Sequence, residues 1–350
     1  MAMDEQYSAT GANGQPIVIQ LKNSGQNRTA LWAVVGAITG FLLPICACGI
    51  LGFLGILALG TSTSPALGPV TQISGTGDAV AIVRIEGTIT ASDNPDDLAG
   101  AASARVIADL EAAAADDTVK AIVLRIDSPG GSVTGSAQIY DAIVAIDKPV
   151  VVSMASLAAS GGYYVSAPAD YIIARADSWT GSLGVIMTVY NVEGLIEEVG
   201  IDVQNITSGE NKALGSYWDE LTPEQEAILQ ALVDEAYQEF VRIIAAGRGL
   251  SEDEVRLLAD GRIYSGRQAL ANGLVDELGN FDAAIAKAAA LGGITGTPAT
   301  IEYQRTPSLG DMLLGLSTGL QQSEPDKVLG TLDHLLTPVL EYRYHGPAPN

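Results

Sequence analysis

The chain has 350 residues, 47% of them hydrophobic and 17% charged, and its net charge of −23 comes from 41 acidic and 18 basic residues. A nucleic-acid-binding role is disfavoured, because phosphate binding needs a basic surface. Both cysteines, Cys46 and Cys48, lie in one apolar run. Two cysteines are too few for a zinc site, and the sequence predicts neither a metal nor a cofactor.

Composition divides the chain into five segments. Residues 1–30 are polar and rich in Gly, Asn and Gln, which predicts a disordered cytoplasmic tail. Residues 31–59 are uncharged and apolar, and at about 1.5 Å per residue they exceed the roughly 30 Å that a transmembrane helix must span. Residues 60–78, rich in Ser, Thr, Gly and Pro, are expected to be a linker. The folded body is predicted over 79–292, followed by a C-terminal extension over 293–350.

The basic residues lie on one side of the apolar run only. Lys22 and Arg28 precede it, and no charged residue follows it until Asp78. The positive-inside rule therefore predicts a single-pass protein of the cell membrane, with a cytoplasmic N-terminus and the body outside. Residues 58–60 resemble a cleavage site, so cleavage of the N-terminal segment stays an alternative.

Strand and helix patterns alternate through the body, which predicts an α/β fold with a mostly parallel sheet and covering helices. The predicted strands are 80–85, 119–126, 149–154, 171–174, 185–187 and 202–206, with an edge strand at 300–304. The predicted helices are 99–115, 134–146, 163–167, 192–199, 222–246, 251–259, 266–272 and 280–291, followed by amphipathic segments at 311–320 and 327–340.

The tripeptide Ser160-Gly161-Gly162 lies where a predicted strand turns into a helix. Such a turn can expose a hydroxyl group, and the first free N–H groups of the helix can bind an anion. Most Ser-Gly-Gly sequences are simply turns or helix caps, so a catalytic role for Ser160 needs support from the rest of the chain.

A nucleophilic serine needs a base. The only two histidines, His334 and His345, lie in the C-terminal region at expected surface positions, which disfavours a Ser-His-Asp triad. Of the six lysines, Lys212 alone occupies a Gly/Ser-rich loop after a predicted strand, and it is the candidate base by elimination. A solvated loop lysine is the alternative. A base at this position requires a desolvated amine with a lowered pKa, which the hydroxyl of Ser182 could orient; turn formation is the alternative role for Ser182.

Two glycine turns could supply oxyanion donors. The Gly161 N–H follows the candidate nucleophile, and Gly130 and Gly131 end an earlier predicted strand. Because neighbouring parallel strands end at the same edge of a sheet, we expect these turns to converge.

Four motifs occur in order along the body: Asp127-Ser128-Pro129-Gly130-Gly131, Ala158-Ala159-Ser160-Gly161-Gly162-Tyr163-Tyr164, Thr180-Gly181-Ser182-Leu183-Gly184-Val185, and Gly261-Arg262-Ile263-Tyr264-Ser265-Gly266 with Gly273-Leu274-Val275-Asp276. Together they resemble the signal peptide peptidase A family, membrane-anchored serine proteases of the Clp protease/crotonase superfamily. The resemblance covers about residues 79–292 and matches the short form with one catalytic repeat.

The resemblance implies Ser160 as nucleophile, Lys212 as general base and Ser182 as the hydroxyl that bonds the lysine. It implies an oxyanion hole built from Gly161 and the Gly130–Gly131 turn. It further implies a closed, bowl- or ring-shaped homo-oligomer in which serine and lysine can come from different chains. Many members carry a third glycine where this chain has Ser132, so which glycine donates stays open.

The leading hypothesis is a Ser-Lys endopeptidase that degrades remnant signal peptides and other apolar peptides, bound in extended form with small pockets near Tyr163 and Tyr164. A second is a Clp-class membrane protease that acts on specific membrane proteins. A third is a crotonase-like scaffold that binds without proteolysis.

Overall fold

The computed structural model describes residues 9–10, 16–17, 70–97, 99–304, 340–344 and 346. The chain forms two compact units, residues 1–67 and 68–350. In the first unit the described residues are two short antiparallel strands, β1 (Ala9–Thr10) and β2 (Pro16–Ile17). The predicted membrane span at 31–59 and most of the predicted tail lie outside the described residues. Among the helices that are described, none combines the length and the apolar character needed to cross a bilayer.

The second unit alternates strands and helices. Its strands are β3 (Val70–Ser74), β4 (Ala79–Glu86), β5 (Ile89–Thr90), β6 (Ala101–Ala102), β7 (Val119–Ser128), β8 (Gly130–Ser132), β9 (Val150–Ala159), β10 (Tyr171–Ala174), β11 (Trp179–Gly181), β12 (Ile186–Met187), β13 (Ile263–Ser265), β14 (Glu277–Leu278), β15 (Ala299–Gln304) and β16 (Leu340–Arg343). Its helices are α1 (Ser103–Ala115), α2 (Val133–Val144), α3 (Gly161–Tyr164), α4 (Glu193–Glu198), α5 (Pro223–Arg248), α6 (Glu252–Leu258), α7 (Gly266–Ala271) and α8 (Phe281–Leu291).

A large sheet in the order β13-β11-β9-β7-β4-β15-β3 carries the core, with β10 and β14 attached beside β9. The pairs β4–β7, β7–β9 and β9–β11 are parallel. Helices α1, α2 and α5 pack on one face and α8 on the other, so successive strand residues are buried on alternate faces. The prediction of a mostly parallel sheet with covering helices is confirmed.

Three segments have a structure different from the one predicted for them. Residues 70–74 form strand β3, although the segment 60–78 was expected to be a linker. β15 is not an edge strand, because it pairs with β4 on one side and with β3 on the other. Residues 202–206 form no strand. In each case the outcome depends on a pairing partner that is distant in sequence, which a local apolar pattern does not reveal.

A smaller sheet in the order β12-β16-β8-β5-β6 lies at the end of β7. Its strand β16 falls in the C-terminal extension and pairs antiparallel with both β8 and β12. The predicted amphipathic segments at 311–320 and 327–340 lie outside the described residues, apart from the first residue of β16. The small sheet therefore brings a C-terminal strand to the glycine turn that begins at Gly130.

One buried ion pair ties α5 to the main sheet. Arg248 donates to the Asp276 carboxylate at 2.6 Å, and its side chain is only 7% exposed. The other oxygen of Asp276 accepts from the N–H of Ile172 at 2.7 Å. Removing Arg248 would thus leave a partly buried carboxylate without its charged partner.

We expect Arg248→Ala to lower the free energy of unfolding by about 2 kcal/mol. In a thermal melt of the full chain this corresponds to a fall in Tm of roughly 4–8 °C. The control Arg256→Ala breaks the exposed ion pair with Glu252, which should change the Tm by no more than about 2 °C. Equal losses in the two variants would contradict the structural role of Arg248.

Candidate active site

Ser160 occupies a strained turn between β9 and α3. Its φ of +54° is unusual for a residue with a side chain, and its side chain makes no capping hydrogen bond to α3. Its backbone is held on both sides, because its N–H donates to the Gly181 carbonyl at 2.7 Å and its own carbonyl accepts from the first turn of the helix. The capping role that most Ser-Gly-Gly sequences serve is therefore not the role of Ser160.

Ser182 lies beside Ser160 at the end of the neighbouring strand. Ala159 of β9 pairs with Gly181 of β11, so each serine follows one member of the last pair of this ladder. Ser182 has a φ of +50°, and its N–H donates to the Arg262 carbonyl at 2.7 Å. Among the described residues, Ser160 and Ser182 are the only non-glycine residues with positive φ. Backbone strain of this kind concentrates at functional sites.

The glycine turn after β7 contacts the residue that follows Ser160. A Cβ atom on Gly130 would lie 2.5 Å from the Gly161 nitrogen, so only glycine fits at this contact. The Ser128 hydroxyl fixes the turn by accepting from the Gly130 N–H at 3.1 Å and donating to the Gly87 carbonyl at 2.6 Å. The structure thus brings Gly130, Gly131 and Gly161 together at one edge of the sheet, as predicted.

Within a single chain, no hydrogen bond joins Lys212 to Ser160 or Ser182 in the part that the structure describes. Lys212 lies exposed in the loop before α5, and its amine has no hydrogen-bond or ion-pair partner among the described residues. The segment before it carries apolar side chains that are also exposed: Ile186, Tyr190, Leu195, Val199, Ile201 and Ile206. In one chain, therefore, the nucleophile candidate and the base candidate are separate.

Tyr163 does not line a pocket, which corrects the expectation of a substrate contact there. Its side chain is fully buried, and its hydroxyl donates to the Leu274 carbonyl at 2.7 Å. Burial raises the pKa of this phenol, which keeps it protonated and hydrogen-bonded in the core. Helix geometry turns this ring toward the main core rather than toward the turn at Ser160.

Tyr164 is also buried, but it contacts the C-terminal strand. Its ring stacks on that of Tyr342 with centroids 4.9 Å apart, and it packs against Tyr140 and Phe240. An open pocket at Tyr164 was expected, whereas in this structure the space beside the ring is filled by Tyr342.

Two features of the site were missed by the sequence reasoning. Strand β16 lies next to Gly130 and Gly161, and the alternation of apolar and charged residues in Leu340-Glu341-Tyr342-Arg343 could have indicated a strand. Ser136 in α2 is fully buried, and its hydroxyl has no hydrogen-bond partner in the described part of the chain. No local sequence pattern indicates that Ser136 is buried without a hydrogen-bond partner.

An open cavity of about 510 Å³ is lined by Ser182, by Ile186 of β12 and by Arg343 and Tyr344. Asp234 and Asp260 contribute two carboxylates to its lining. Within the described residues, no three His, Cys, Asp or Glu side chains are placed to hold a metal ion. The chemical groups at this edge of the sheet are the hydroxyls of Ser160 and Ser182 and the backbone of two glycine turns.

Comparisons with known proteins agree with these motifs. A family model described as Peptidase family S49 matches residues 142–295. Protease 4 of Salmonella typhi is 36% identical over 248 residues, which is 70% of this chain and 39% of that protein. The chloroplastic serine protease SPPA of Arabidopsis thaliana is 33% identical over 219 residues, which is 61% of this chain and 32% of that protein. This chain thus spans less than half the length of either protein.

A shorter relative is covered more fully. The Enterococcus faecium protein named "Putative signal peptide peptidase SppA" is 36% identical over 242 residues, which is 66% of this chain and 70% of that protein. Among solved structures, a ClpP1 variant from Listeria monocytogenes is 19% identical with a TM-score of 0.39, over 58% of this chain and 94% of that one. The S49 match and the extent of the Enterococcus alignment show that this chain belongs to the signal peptide peptidase A family of S49 peptidases.

Proposed function

We propose that this chain is a membrane-anchored serine endopeptidase with a Ser-Lys dyad, which degrades remnant signal peptides and other apolar peptides. The observation that carries the proposal is the pair of strained serines. Ser160 and Ser182 end adjacent strands, and the hydroxyl of Ser160 is not used as a helix cap. The S49 membership supports proteolysis over a non-catalytic scaffold.

In the proposed reaction, the Ser160 hydroxyl oxygen attacks the carbonyl carbon of a peptide bond while the neutral amine of Lys212 takes its proton. The negative charge on the former carbonyl oxygen is held by backbone N–H groups. Lys212 then returns the proton to the leaving amine, and water hydrolyses the acyl-enzyme. Ser182 holds the lysine amine in the orientation that accepts the proton.

The hydrogen-bond pattern between β8 and β16 helps to decide whether Gly130 or Gly131 donates to the oxyanion. The Gly130 N–H is engaged by Ser128, whereas Gly131 pairs with Tyr342 of β16. The Tyr344 N–H donates to the Pro129 carbonyl at 2.7 Å, and hydrogen-bonded pairs alternate along an antiparallel ladder. The Gly131 N–H therefore points at a carbonyl of the strand lying on it. We assign the oxyanion donors to Gly161 and Gly131, with Gly130 required for the close approach.

We propose that a second copy of the chain completes the dyad in a closed ring- or bowl-shaped homo-oligomer. An exposed ammonium group in water is protonated and cannot act as a base, so Lys212 must be desolvated to do so. The exposed apolar side chains of the segment 186–206 support burial against a neighbouring chain, because monomers rarely leave such a stretch open. A neighbour that covers this segment would also remove water from Lys212.

The proposed location is the cell membrane, with the N-terminus in the cytoplasm and residues 68–350 outside. The support for it is the uncharged apolar run at 31–59, with Lys22 and Arg28 before it. Substrates left in the membrane after secretion would be close to a site tethered in this way. The alternative is proteolysis of specific membrane proteins. Profiling the membrane peptides that accumulate when this protein is deleted would distinguish the two substrate classes.

The nucleophile is tested by labelling with a serine-directed fluorophosphonate. We expect the wild-type chain to be labelled and Ser160→Ala to lose both the label and peptidase activity, with kcat/KM reduced at least about 10³-fold. Ser156→Ala, at an exposed position of the same strand, is the matched control and should be labelled normally. Label that persists in Ser160→Ala would overturn the assignment, and a wild-type chain that neither labels nor cleaves would favour the scaffold.

The origin of the base is tested by mixing two inactive variants. Ser160→Ala and Lys212→Ala should each be inactive, whereas oligomers assembled from equal amounts of both should recover about a quarter of wild-type activity if the lysine comes from a neighbour. Lys120→Ala, an exposed lysine at the opposite end of β7, is the control and should stay active. Failure of the mixture to recover would place the base in the same chain as the nucleophile.

The close approach at the glycine turn is tested by Gly130→Ala. The added Cβ would lie 2.5 Å from the Gly161 nitrogen and 2.0 Å from the carbonyl oxygen of the adjacent strand, and the φ of +90° disfavours alanine. We expect kcat/KM to fall about 100-fold or more, because an oxyanion donor is displaced. Gly346→Ala, whose added Cβ would meet no atom closer than 3.5 Å, serves as the control. Full activity of Gly130→Ala would contradict the proposed geometry.

A further inference from the structure

A buried hydroxyl group beside the glycine turns makes no hydrogen bond. Ser136 is the fourth residue of α2, it is 0% exposed, and its Oγ has no hydrogen-bond partner in the part of the chain that the structure describes. A serine in a helix can donate to the carbonyl four residues earlier, and Ser136 does not do so. Because an unpaired buried hydroxyl lowers stability, the presence of this one calls for a role other than folding.

The fold pairs the other buried serines that lie outside the Ser160–Ser182 pair. The buried hydroxyls with a partner are those of Ser103, Ser128, Ser153, Ser166 and Ser178. Among the described residues, Thr90 and Tyr303 are the two further buried side chains with an unpaired oxygen. What distinguishes Ser136 is its contact with a glycine of the candidate site.

The Ser136 hydroxyl lies against Gly161. A Cβ atom on Gly161 would be 2.6 Å from Ser136 Oγ and 3.1 Å from the Cα of Gly130, so the hydroxyl adjoins both glycine turns. A residue's Cβ lies about 2.5 Å from its own nitrogen, which puts Ser136 Oγ within about 5 Å of the Gly161 nitrogen. One oxygen atom can lie about 2.9 Å from that nitrogen and about 2.7 Å from the hydroxyl, and so accept hydrogen bonds from both.

The glycines of the proposed mechanism are as buried as Ser136. Gly130, Gly131 and Gly161 are all buried, so a substrate oxygen that reaches the Gly161 N–H enters the same part of the molecule as the Ser136 hydroxyl. Gly161 is the first residue of α3, and its N–H is not used within that helix. A hydroxyl donates more strongly to a charged oxygen than to a neutral carbonyl, so a bond from Ser136 would stabilise the transition state more than the bound substrate.

We propose that Ser136 is a third oxyanion donor, whose hydroxyl donates to the carbonyl oxygen that becomes negatively charged when Ser160 attacks. The inference rests on the proposed peptidase function, because it adds a residue to the same site. Ser136 keeps its proton throughout and forms no covalent bond. Its hydroxyl is unpaired in the free chain and paired in the tetrahedral intermediate, so it lowers the stability of the fold and raises the rate of the reaction.

The first test compares stability and catalysis in Ser136→Ala, made in the full chain. Activity is measured with the aminomethylcoumarin amide of acetyl-trileucine, an apolar substrate. We expect kcat to fall roughly 10- to 100-fold while KM changes less than about twofold, because the lost bond forms in the transition state. We expect the Tm to stay unchanged or to rise by up to about 4 °C, because the substitution removes an unpaired buried hydroxyl.

The matched control is Ser103→Ala. Ser103 is also 0% exposed, but its hydroxyl donates to the Gln138 side chain at 2.6 Å and accepts from the Ser92 N–H at 3.1 Å. Removing this paired hydroxyl should lower the Tm by about 2–4 °C and leave kcat unchanged. A Ser136→Ala variant that behaves in the same way, less stable but fully active, would show that Ser136 serves the fold and would overturn the proposal.

A second test isolates the tetrahedral state. Acetyl-Leu-Leu-leucinal, a peptide aldehyde, can add the Ser160 oxygen to its carbonyl carbon while the serine proton passes to Lys212, which leaves a negatively charged oxygen on the adduct. The corresponding alcohol, acetyl-Leu-Leu-leucinol, binds without forming an adduct. We expect Ser136→Ala to weaken inhibition by the aldehyde roughly 10- to 100-fold and to leave inhibition by the alcohol unchanged. An equal loss of affinity for both compounds would contradict a role in the tetrahedral state.

The wild-type chain separates the two proposals. A wild type that neither cleaves the amide nor binds the aldehyde more tightly than the alcohol would overturn the peptidase function, and the role of Ser136 with it. A wild type that does both, together with a Ser136→Ala variant that keeps its kcat and its affinity for the aldehyde, would overturn the role of Ser136 alone.

Discussion

The hydrogen bond from the Ser160 N–H to the Gly181 carbonyl is the constraint on which the candidate site depends. It continues the β9–β11 ladder past its last residue pair, so two strands end side by side and both are followed by a serine. Positive φ at a residue with a side chain costs about 1–3 kcal/mol and persists only where neighbouring bonds over-determine the backbone. The second restraint is the Ser160 carbonyl, which accepts hydrogen bonds from the first turn of α3. The strained φ of Ser160, the register of the β9–β11 ladder and the position of the Ser160 hydroxyl therefore follow from the same backbone contacts.

The second constraint is the close approach of three backbone segments of the chain. The turn after β7, the first residue of α3 and the strand lying on them approach so tightly that a Cβ on Gly130 would overlap two of the three. The absence of side chains at Gly130 and Gly161 permits this close approach. It also leaves an open strand edge, which exposes unpaired backbone groups and favours the addition of another strand. In this chain β16 is that strand, because its residues 341–343 pair with β8.

Lys212 lies exposed in the loop before α5, whereas the two serines follow the last residue pair of the β9–β11 ladder. Catalysis by lysine requires a dry environment, which a loop on the surface of one chain does not provide. A neighbouring chain that covered the exposed apolar residues of the segment 186–206 would bury the Lys212 amine as well. Assembly of the oligomer would then also remove water from the Lys212 amine and so activate the base.

Local patterns were sufficient for much of this protein. The predicted helix 222–246 is α5, which begins with a capping box of Thr222 and Gln225, and the runs that predict β4, β7, β9 and β10 are strands in the structure. The glycine motifs identified the residues that converge at the sheet edge, and together they identified the family. Patterns failed for β3 and β16, whose partners lie more than 150 residues away along the chain. They also failed for Tyr163, because alternate residues of a short helix face different surroundings.

The sequence by itself thus determined the sheet, the turn residues and the chemical groups available, since propensity, turn chemistry and apolar periodicity act over a few residues. Only the tertiary structure decided that Ser160 is strained and does not cap its helix, that Ser182 follows the adjacent strand, and that the ring of Tyr342 stacks on that of Tyr164. These outcomes depend on strand register and on contacts between distant segments, and no local pattern encodes either.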